Sequence, residues 1–249
     1  MPNPASPLSR LLTWLGGHEL GVLMAAVAIA AGVWAFAGLA DEVREGETQA
    51  FDRAVLLSMR GPDRAPIGPP ELQEAARDIT ALGGVLVLGL ITAITAGFLA
   101  LDGKRRMALF VCGAVGSGMM ASTLLKNLFQ RARPDLVPHA VDVWTTSFPS
   151  GHSMMSAVTY LTLGALLARS RERKRLKAYF LLLAVLLTVL VGVTRVYLGV
   201  HWPTDVLAGW TAGAVWALLC WLLARWLQRR RKVEREAERS PEPAANSGT

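Results

Sequence analysis

Long uncharged apolar segments alternate with short charged segments along most of the chain. A helix needs roughly 17 to 25 mainly apolar residues to cross the hydrocarbon core of a bilayer, so each long segment is a candidate membrane-spanning helix. Six segments meet this description or come close to it, at Leu20–Ala40, Ile79–Leu101, Met107–Leu125, Ser153–Ala168, Ala178–Thr194 and Val206–Ala224. The fourth is the shortest and must gain turns from its flanks. The pattern predicts an all-α protein, an integral membrane bundle of six helices over residues 20–227.

The outer loop between the first two spans, residues 41–78, has a different pattern. "TQAFDRAVLLSMR" has helical spacing with one apolar face, "GPDRAPIGPP" interrupts it, and "PELQEAARDI" can begin a second helix with Pro70 in its first turn. We expect two short amphipathic helices that lie on the outer surface of the bilayer and frame a substrate entrance. A simple spacer between two spans explains the pattern equally well.

The composition agrees with a membrane protein. Hydrophobic residues make up 52% of the chain and charged residues 18%, and the mean hydropathy is +0.36. A soluble domain of this length is rarely so apolar. The spans leave little room for a separate soluble domain. We expect residues 1–19 to form a cytoplasmic segment before the bundle, and residues 228–249 a charged, partly disordered cytoplasmic tail.

The basic residues lie mainly in short segments between alternate spans. The clusters are Lys104–Arg106, residues 169–177 and Arg229–Lys232. If the six spans alternate in direction, all three clusters lie on the same side of the membrane. Because cytoplasmic loops carry the excess of Lys and Arg, both termini are expected in the cytoplasm, and the opposite face in the periplasm of a bacterial inner membrane. The net charge of +7 therefore does not call for a nucleic-acid partner.

The first span has an alternative interpretation as a cleaved signal peptide, because small residues precede Asp41. Its uncharged stretch is longer than the roughly 7 to 15 residues of a signal-peptide core, so we favour a retained span. Cleavage would leave five helices, with the termini on opposite sides of the membrane.

Gly209 and Gly213 form a pair of small residues four positions apart in the last span. Such pairs let helix backbones approach closely. We expect this pair to pack against another helix of the same chain rather than to form a dimer.

Ionisable residues gather at the predicted outer ends of the spans. The candidates are Lys126 and Arg133 at the end of the third span, Ser150, Gly151 and His152 at the start of the fourth, Arg195 at the end of the fifth, and His201 and Asp205 before the sixth. Taken singly, each charged residue is explained as an interfacial anchor, because charge at a helix end costs little.

In combination, these residues indicate an anion site. The cations Lys126, Arg133 and Arg195 together match the oxygens of a dianionic phosphate. The helix start at Ser150 and Gly151 adds free backbone N–H groups and the positive end of a helix dipole. A glycine there also lets a ligand approach the backbone closely.

Two histidines beside an anion site suit phosphoryl transfer. One can attack phosphorus, and the other can protonate the departing oxygen. Asp205 follows His201 by four residues, so its carboxylate can fix the ring tautomer and stabilise positive charge on the ring. The same aspartate also suits the first turn of a helix, and the two roles are compatible.

Three stretches resemble the motifs of a known family. They are "KNLFQRARP", with six residues between Lys126 and Arg133-Pro134; "PSGH", ending at His152; and "RVYLGVHWPTD", with Arg195, five residues, His201, three residues and Asp205. In residue type, spacing and order they resemble the type-2 phosphatidic acid phosphatase and vanadium haloperoxidase superfamily. The resemblance covers residues 79–224 and is most specific over 126–205. Thr194 stands where the family commonly has Ser, which keeps the hydroxyl.

The resemblance implies a role for each candidate. It implies that His201 is the nucleophile and forms a phosphohistidine, that Asp205 orients it, and that His152 protonates the leaving group and later activates water. It implies that the phosphate oxygens are held by Lys126, Arg133, Ser150, Gly151 and Arg195. No metal or other cofactor is implied, and no carboxylate cluster stands beside these histidines in the sequence to hold Mg²⁺. Charge neutralisation then falls to the cations and the backbone.

The leading hypothesis is a metal-independent lipid phosphatase at the outer leaflet. Its substrate would be a phospholipid or polyprenyl phosphate, such as undecaprenyl pyrophosphate, phosphatidylglycerophosphate or phosphatidic acid. A vanadate-dependent haloperoxidase would use the same anion site, but six spans suit a lipid substrate better. A lipid-linked phosphotransferase stays open, because its acceptor only replaces water in the second step. A non-enzymatic anion transporter would place its polar residues nearer the midplane.

Overall fold

The computed structural model describes residues 16–138, 141 and 145–239. Within these residues the chain forms eight α-helices: α1 Gly16–Glu45, α2 Gln49–Ser58, α3 Pro70–Ala81, α4 Val85–Leu101, α5 Arg105–Phe129, α6 Gly151–Arg169, α7 Lys174–Tyr197 and α8 Pro203–Arg239. The ends of the two predicted cytoplasmic segments, residues 1–15 and 240–249, lie outside the described residues. The β pairing in the described ranges is one isolated bridge between Arg60 and Pro66. The predicted all-α class is confirmed.

Four described helices are long and apolar enough to cross a bilayer. They are Leu20–Glu45, Arg105–Phe129, Lys174–Tyr197 and Pro203–Arg229. The helices α3 and α4 meet the same criterion only when they are taken together, which makes a fifth candidate. The predicted number of six spans is therefore not exact for the described part of the chain, and two of the predicted spans account for the difference.

The predicted second span, Ile79–Leu101, is not one continuous helix. The helices α3 and α4 meet at an angle of 47° across a short break. Gly84 is extended there and precedes α4, with φ −73° and ψ 149°. A Cβ atom at Gly83 would lie 2.4 Å from Cγ1 of Val191 and 3.3 Å from Cβ of His152. Because the sequence stays apolar across the break, hydropathy does not show it, whereas the glycines let the chain pass close to α6 and α7.

The predicted fourth span, Ser153–Ala168, lies within α6, which is not apolar enough to qualify among the described helices. Its buried positions include the hydroxyl side chains of Ser153, Ser156, Thr159 and Thr162. The helix packs against α7 on one side and α8 on another. Because helices rather than lipid surround α6, it does not need an apolar face towards lipid. The bundle is built around this helix.

The glycine pair of α8 brings that helix against α6. A Cβ atom at Gly209 would lie 2.7 Å from the carbonyl oxygen of Ser150. At Gly213 it would lie 2.5 Å from the carbonyl oxygen of Met154 and 2.6 Å from Cβ of Ala157. Side chains at these two positions would therefore force the helices apart. The prediction that the pair packs within the chain is confirmed.

Two short helices, α2 and α3, occupy the loop before α4, as the sequence predicts. Each buries only a narrow stripe, with Asp52 and Leu56 buried on α2 and Ala76 and Thr80 on α3. The helix α2 lies against α8, and α3 lies against α7. Both therefore cover the end of the bundle where α8 begins.

Large apolar side chains cover the outside of the long helices. Trp34, Leu86 and Leu101 are 78%, 84% and 92% exposed. A soluble monomer rarely exposes a continuous apolar surface of this kind. Together with the apolar helices, this surface shows that the chain is an integral membrane protein.

Candidate active site

The structure brings the eight candidate residues to one end of the bundle. At this end, called the site end below, α5 and α7 finish and α6 and α8 begin. Helix ends carry six of the candidates: Lys126 in the last turn of α5, Arg195 in the last turn of α7, Ser150, Gly151 and His152 at the start of α6, and Asp205 in the first turn of α8. Arg133 and His201 lie in the connections that precede α6 and α8.

Two residues with positive φ shape these connections. Gln130, at φ 46°, ends α5 in the left-handed conformation and turns the chain towards Arg133. Gly199, at φ 76°, follows α7 and precedes His201 by two residues. A Cβ atom at Gly199 would lie 2.9 Å from Cγ2 of Val137. Both the conformation and the space at position 199 therefore favour glycine.

The two ring nitrogens of His201 have different partners. Nε2 lies 3.2 Å from Nη1 of Arg133. Nδ1 lies 3.3 Å from Oγ of Ser147 and 3.4 Å from Oδ2 of Asp205. Because a guanidinium has only donors, Nε2 must accept, and the ring proton is on Nδ1, towards the carboxylate. The lone pair of Nε2 therefore faces the side of Arg133.

Burial governs the protonation of His201, which is 1% exposed. Loss of solvation lowers the pKa of its imidazole to about 3, although the hydrogen bond and charge of Asp205 act in the opposite direction. The charges of Arg195 and Arg133 lower the pKa further. The ring is thus neutral at neutral pH, which is the form that can act as a nucleophile.

Asp205 is fully buried, and both of its carboxylate oxygens accept hydrogen bonds. Oδ1 accepts from Nη1 of Arg131 at 2.7 Å. Oδ2 accepts from the backbone N–H of Trp202 at 2.9 Å and from the hydroxyl of Ser147. A buried carboxylate needs such partners to remain charged. They also fix the orientation of the carboxylate that faces His201.

Lys126 lies against the start of α6. A Cβ atom at Gly151 would lie 3.1 Å from Cε of Lys126. The ammonium group donates to the carbonyl oxygen of Thr146 at 2.7 Å. Gly151 and His152 are the first two residues of α6, so their N–H groups have no acceptor within the helix. A cation and a helix start thus lie side by side, and both attract an anion.

Ser150 connects α6 to α8. Its side chain is fully buried and accepts a hydrogen bond from Oγ of Ser153 at 2.9 Å. Its backbone N–H donates to the carbonyl oxygen of Asp205 at 2.9 Å. That N–H is therefore used within the protein, and the hydroxyl proton is the donor of Ser150 left for a ligand.

Arg195 and His152 lie beside the break between α3 and α4. Nη1 of Arg195 donates to Oγ1 of Thr80 at 3.2 Å, and its buried Nε has no partner among the described residues. A Cβ atom at Gly84 would lie 3.9 Å from Nε2 of His152. His152 is also close enough to Arg195 and His201 for their charges to act on its ring. Both imidazoles are therefore at the site end, and the guanidinium of Arg195 retains donors for an anion.

A second carboxylate, which the sequence motifs do not include, lies behind Asp205. Arg131 donates through Nη1 to Asp205 and through Nη2 to Oδ2 of Asp52, both at 2.7 Å. Asp52 is fully buried and also accepts from the backbone N–H of Thr204 at 3.0 Å and from its hydroxyl at 2.7 Å. Helix α2 is thereby tied to the start of α8.

Sequence reasoning missed Arg131, Asp52 and Ser147, although two of them carried a signal. Arg131 lies inside the quoted stretch "KNLFQRARP", two residues before Arg133. Asp52 precedes Leu56 by four residues and therefore lies on the apolar face of α2, where an unpaired carboxylate would be costly. Ser147 gives no signal of its own.

The carboxylates of the site bind cations of the protein itself. Both Asp52 and Asp205 pair with Arg131. Within the described ranges, no group of three or more His, Cys, Asp or Glu side chains is placed to hold a metal ion. The remaining charges, those of Lys126, Arg133 and Arg195, are positive and suit an anionic ligand.

Known proteins are similar to this chain in sequence. A family model described as the PAP2 superfamily matches residues 107–229, a range that contains all eight candidate residues. Phosphatidylglycerophosphatase B of Bacillus subtilis is 34% identical over 181 residues, which cover 70% of this chain and 84% of that protein. Decaprenylphosphoryl-5-phosphoribose phosphatase of Mycobacterium tuberculosis is 30% identical over 182 residues, which cover 72% of this chain and 94% of that protein.

A solved structure has the same fold. The crystal structure of a transmembrane PAP2-type phosphatidylglycerolphosphate phosphatase from Bacillus subtilis superposes with a TM-score of 0.69 at 30% identity. The superposition covers 79% of this chain and 96% of that chain.

Proposed function

The chain belongs to the PAP2 superfamily and is embedded in a membrane, and from this premise we propose that it hydrolyses a lipid phosphomonoester or pyrophosphate. One observation carries the proposal: the neutral imidazole of His201 has Nε2 beside a guanidinium and Nδ1 beside a buried carboxylate. An unprotonated nitrogen next to an anion-binding cation is what an attack on phosphorus requires.

The reaction proceeds in two steps. In the first, the lone pair of Nε2 of His201 forms a bond to phosphorus, and the bond from phosphorus to the lipid oxygen breaks. His152 gives a proton to that oxygen, and the lipid alcohol or lipid monophosphate leaves. In the second, His152 takes a proton from water, the resulting oxygen attacks phosphorus, and the bond to Nε2 breaks. Inorganic phosphate leaves, and both imidazoles return to their starting states.

Cations hold the phosphate during both steps. Arg133 lies 3.2 Å from the attacking nitrogen, and Lys126 lies beside the start of α6 at Gly151. Arg195 has an unpartnered Nε among the described residues and completes the set from α7. Such groups stabilise the negative charge that develops on the phosphoryl oxygens. Ser150 adds its hydroxyl.

Arg131 and Asp52 are positioning residues in this proposal. They do not touch the phosphorus, but Arg131 holds the carboxylate that faces Nδ1 of His201. Asp52 balances the charge of Arg131, so Asp205 keeps enough negative character to stabilise positive charge on the ring.

The substrate class follows from the location of the site. The site end lies at the ends of membrane helices, at the depth where lipid head groups lie. Two relatives are named for phosphatidylglycerophosphate and for decaprenylphosphoryl-5-phosphoribose, each a phosphomonoester on a lipid. Phosphatidylglycerophosphate, phosphatidic acid and polyprenyl phosphates or pyrophosphates are therefore the substrates to test first.

The proposed orientation places the site end on the periplasmic face of a bacterial inner membrane. Its support is the distribution of cations, because Lys104–Arg106 and residues 169–177 lie at the opposite end of the bundle. The positive-inside tendency assigns that opposite end to the cytoplasm, together with both termini.

The test is release of inorganic phosphate from lipid phosphates in mixed micelles, with EDTA present. We expect the full-length protein to release phosphate, and His201→Ala to lose activity by on the order of 10⁴-fold or more, since it removes the nucleophile. Phosphate labelled in the substrate should appear transiently on the wild-type protein as an acid-labile adduct.

The matched control is Arg53→Ala, which removes an exposed cation from α2 and should leave activity unchanged. Equal activity in His201→Ala and wild type would refute the proposal, and so would complete loss of wild-type activity in EDTA.

A further inference from the structure

A cavity lies at the opposite end of the bundle from the proposed active site. Helices α5, α6 and α8 line a partly open cavity of about 610 Å³ there. Ligand pockets in proteins commonly have volumes of about 300 to 1,000 Å³. The helix α6 begins at the active site and ends at Arg169, which lines this cavity. At 1.5 Å per residue its length separates the two places by about 27 Å.

The cavity has an apolar interior. Met107 and Phe110 of α5, Leu166 of α6, and Trp221 and Leu227 of α8 line it. The apolar walls lie at the depth of the membrane core, because α5, α6 and α8 all continue from the cavity towards the site end. An aliphatic chain fits such a space by the hydrophobic effect alone.

One rim of the cavity is positively charged. Lys104, Arg105, Arg106 and Arg169 line it, and no acidic side chain lines it within the described part of the chain. Asp102, nearby, is paired with Lys104 at 2.6 Å. The charges of Arg105, Arg106 and Arg169 thus converge on one opening.

Two of these cations occupy an unfavourable position for the helix that carries them. Arg105 and Arg106 form the first turn of α5, where the helix dipole favours negative charge, and that turn has no acidic residue and no side-chain cap. An anion at the rim would satisfy the two guanidinium groups and the free N–H groups of the helix start together.

A polar group inside the cavity points to a ligand independently. Thr162 of α6 lines the cavity and is 7% exposed. Its Oγ1 has no hydrogen-bond partner among the residues that the structure describes. A buried hydroxyl without a partner is costly, so a ligand oxygen inside the cavity, about 10 Å along α6 from Arg169, would remove that cost.

From these features we propose that the cavity binds one anionic phospholipid, with its phosphate at Arg105, Arg106 and Arg169 and an acyl chain between α5 and α8. Basic pockets between membrane helices bind lipid head groups of this kind. With the orientation proposed above, the lipid comes from the cytoplasmic leaflet. It is a structural ligand and not a substrate, because the reacting histidines are at the other end of α6.

The test compares two lipids with identical acyl chains, anionic phosphatidylglycerol and zwitterionic phosphatidylcholine, added to delipidated full-length protein in detergent. Phosphatidylglycerol carries a phosphodiester and no phosphomonoester, so it is not hydrolysed by the proposed reaction. We expect it to raise the apparent melting temperature and to stay bound in native mass spectrometry, whereas phosphatidylcholine has a smaller effect.

The triple variant Arg105→Gln, Arg106→Gln and Arg169→Gln should bind phosphatidylglycerol at least tenfold more weakly. The control variant Arg171→Gln, Arg173→Gln and Arg175→Gln removes the same charge from the neighbouring connection and the first turn of α7, and it should bind phosphatidylglycerol as wild type does. If the first variant folds poorly, Ala165→Phe fills the interior and keeps the rim charges, and it should also prevent binding.

Equal stabilisation by the two lipids, or unchanged binding in the first variant, would overturn the proposal. Phosphate release from a micellar lipid phosphate is measured in parallel on every variant. It should persist in all of them, so loss of lipid binding is distinguished from loss of the active site.

Discussion

At the scale of single residues, His201 is set between a cation and an anion. Arg133 contacts Nε2, while Asp205 faces Nδ1 and is itself held by Arg131. The ring therefore has one tautomer and one protonation state around neutral pH. This state follows from burial and from the pairing of charges, and both can be measured.

We predict that His201 stays neutral from about pH 8 down to about pH 5, outside the ordinary range of histidine. Burial is the main cause, since it lowers the pKa of this imidazole to about 3. Nitrogen NMR of ¹⁵N-histidine-labelled protein should show Nδ1 protonated and Nε2 unprotonated across this range. A titration midpoint near 6.5 would contradict the prediction.

The same pKa has a consequence for stability. The unfolded chain binds a proton at His201 below about pH 6.5, whereas the folded chain binds it only near pH 3. Because the unfolded state holds more protons between these values, the contribution of His201 to stability is lost as the pH falls through this window.

We predict that Asp52→Asn lowers kcat about tenfold or more with little change in KM, which corresponds to roughly 1.4 kcal/mol of transition-state stabilisation. Without Asp52, Arg131 has one carboxylate instead of two, and its charge acts on Asp205 alone. The double variant Asp52→Asn, Arg131→Gln removes both charges and should recover part of the loss. Activity on a micellar lipid phosphate and the melting temperature are measured together.

The single variant Arg131→Gln tests the electrostatic part of this prediction. It should raise the pKa of His201 by on the order of one unit, because a cation has been removed from behind Asp205. Arg53→Ala on the exposed face of α2 serves as the control. Strictly additive losses in the double variant would show that Asp52 does not act through Arg131, and would contradict the prediction.

Sequence reasoning reached the residues that belong to spaced motifs and missed those that act through them. Lys126, Arg133 and Asp205 are recognisable because their order and separations form a pattern along the chain. Asp52 meets Arg131 only after α2 folds back onto α8, and no separation along the chain records that contact. The helix start at Ser150 predicts a free backbone N–H there, but that N–H donates to the carbonyl oxygen of Asp205, because the start of α6 and the start of α8 touch. The hydroxyl of Ser150 is the group that the proposal assigns to phosphate.

At the scale of secondary-structure elements, the close approach of α6 and α8 positions the two histidines that we propose to be catalytic. His152 begins one helix and His201 precedes the other, so the spacing of the two helices sets the spacing of the rings. That spacing is short because Gly209 and Gly213 of α8 leave room for the backbone of α6.

We predict that Gly213→Ala lowers the free energy of unfolding by about 1 to 3 kcal/mol, since the added methyl would overpack the interface with α6. Gly97→Ala on α4 is the control, because a Cβ there meets no atom within 4 Å. Thermal unfolding in detergent measures both. Equal effects of the two substitutions would mean that the α6–α8 interface tolerates the extra volume.

Hydropathy predicted where the long helical segments lie, but neither the number of spans nor their form exactly. The hydropathy profile shows where apolar residues continue, so it predicts one span over Ile79–Leu101, although α3 and α4 meet at 47°. It counted α6 as a span because its residues are uncharged, although hydroxyl groups lower its hydropathy. Both differences arise from contacts between helices, which a profile along the chain does not contain.

At the scale of the whole molecule, the proposed active site and the basic rim of the cavity are at opposite ends of the bundle. The active site lies where α6 begins, and the basic cavity rim lies where α6 ends. The proposed orientation rests on this asymmetry of charge, because cytoplasmic loops carry the excess of Lys and Arg.

We predict that the connection between α2 and α3 faces the periplasm and the connection between α6 and α7 faces the cytoplasm. The test introduces Asp63→Cys or Ser170→Cys, both at exposed positions, into a protein in which Cys112 and Cys220 are replaced by Ser. In spheroplasts, a membrane-impermeant maleimide should label the thiol at position 63 at once and the thiol at position 170 only after lysis. The reverse pattern would invert the proposed orientation.

The bridge that Arg131 makes between Asp52 and Asp205 limits how far this protein can be simplified. Residues 107–229 contain every motif residue, yet they omit the carboxylate of helix α2. A pared-down protein made of these residues would keep the proposed reacting groups, but Arg131 would have one carboxylate partner, Asp205, instead of two. Anyone who transplants these motifs onto a new scaffold must therefore supply an acid from outside them.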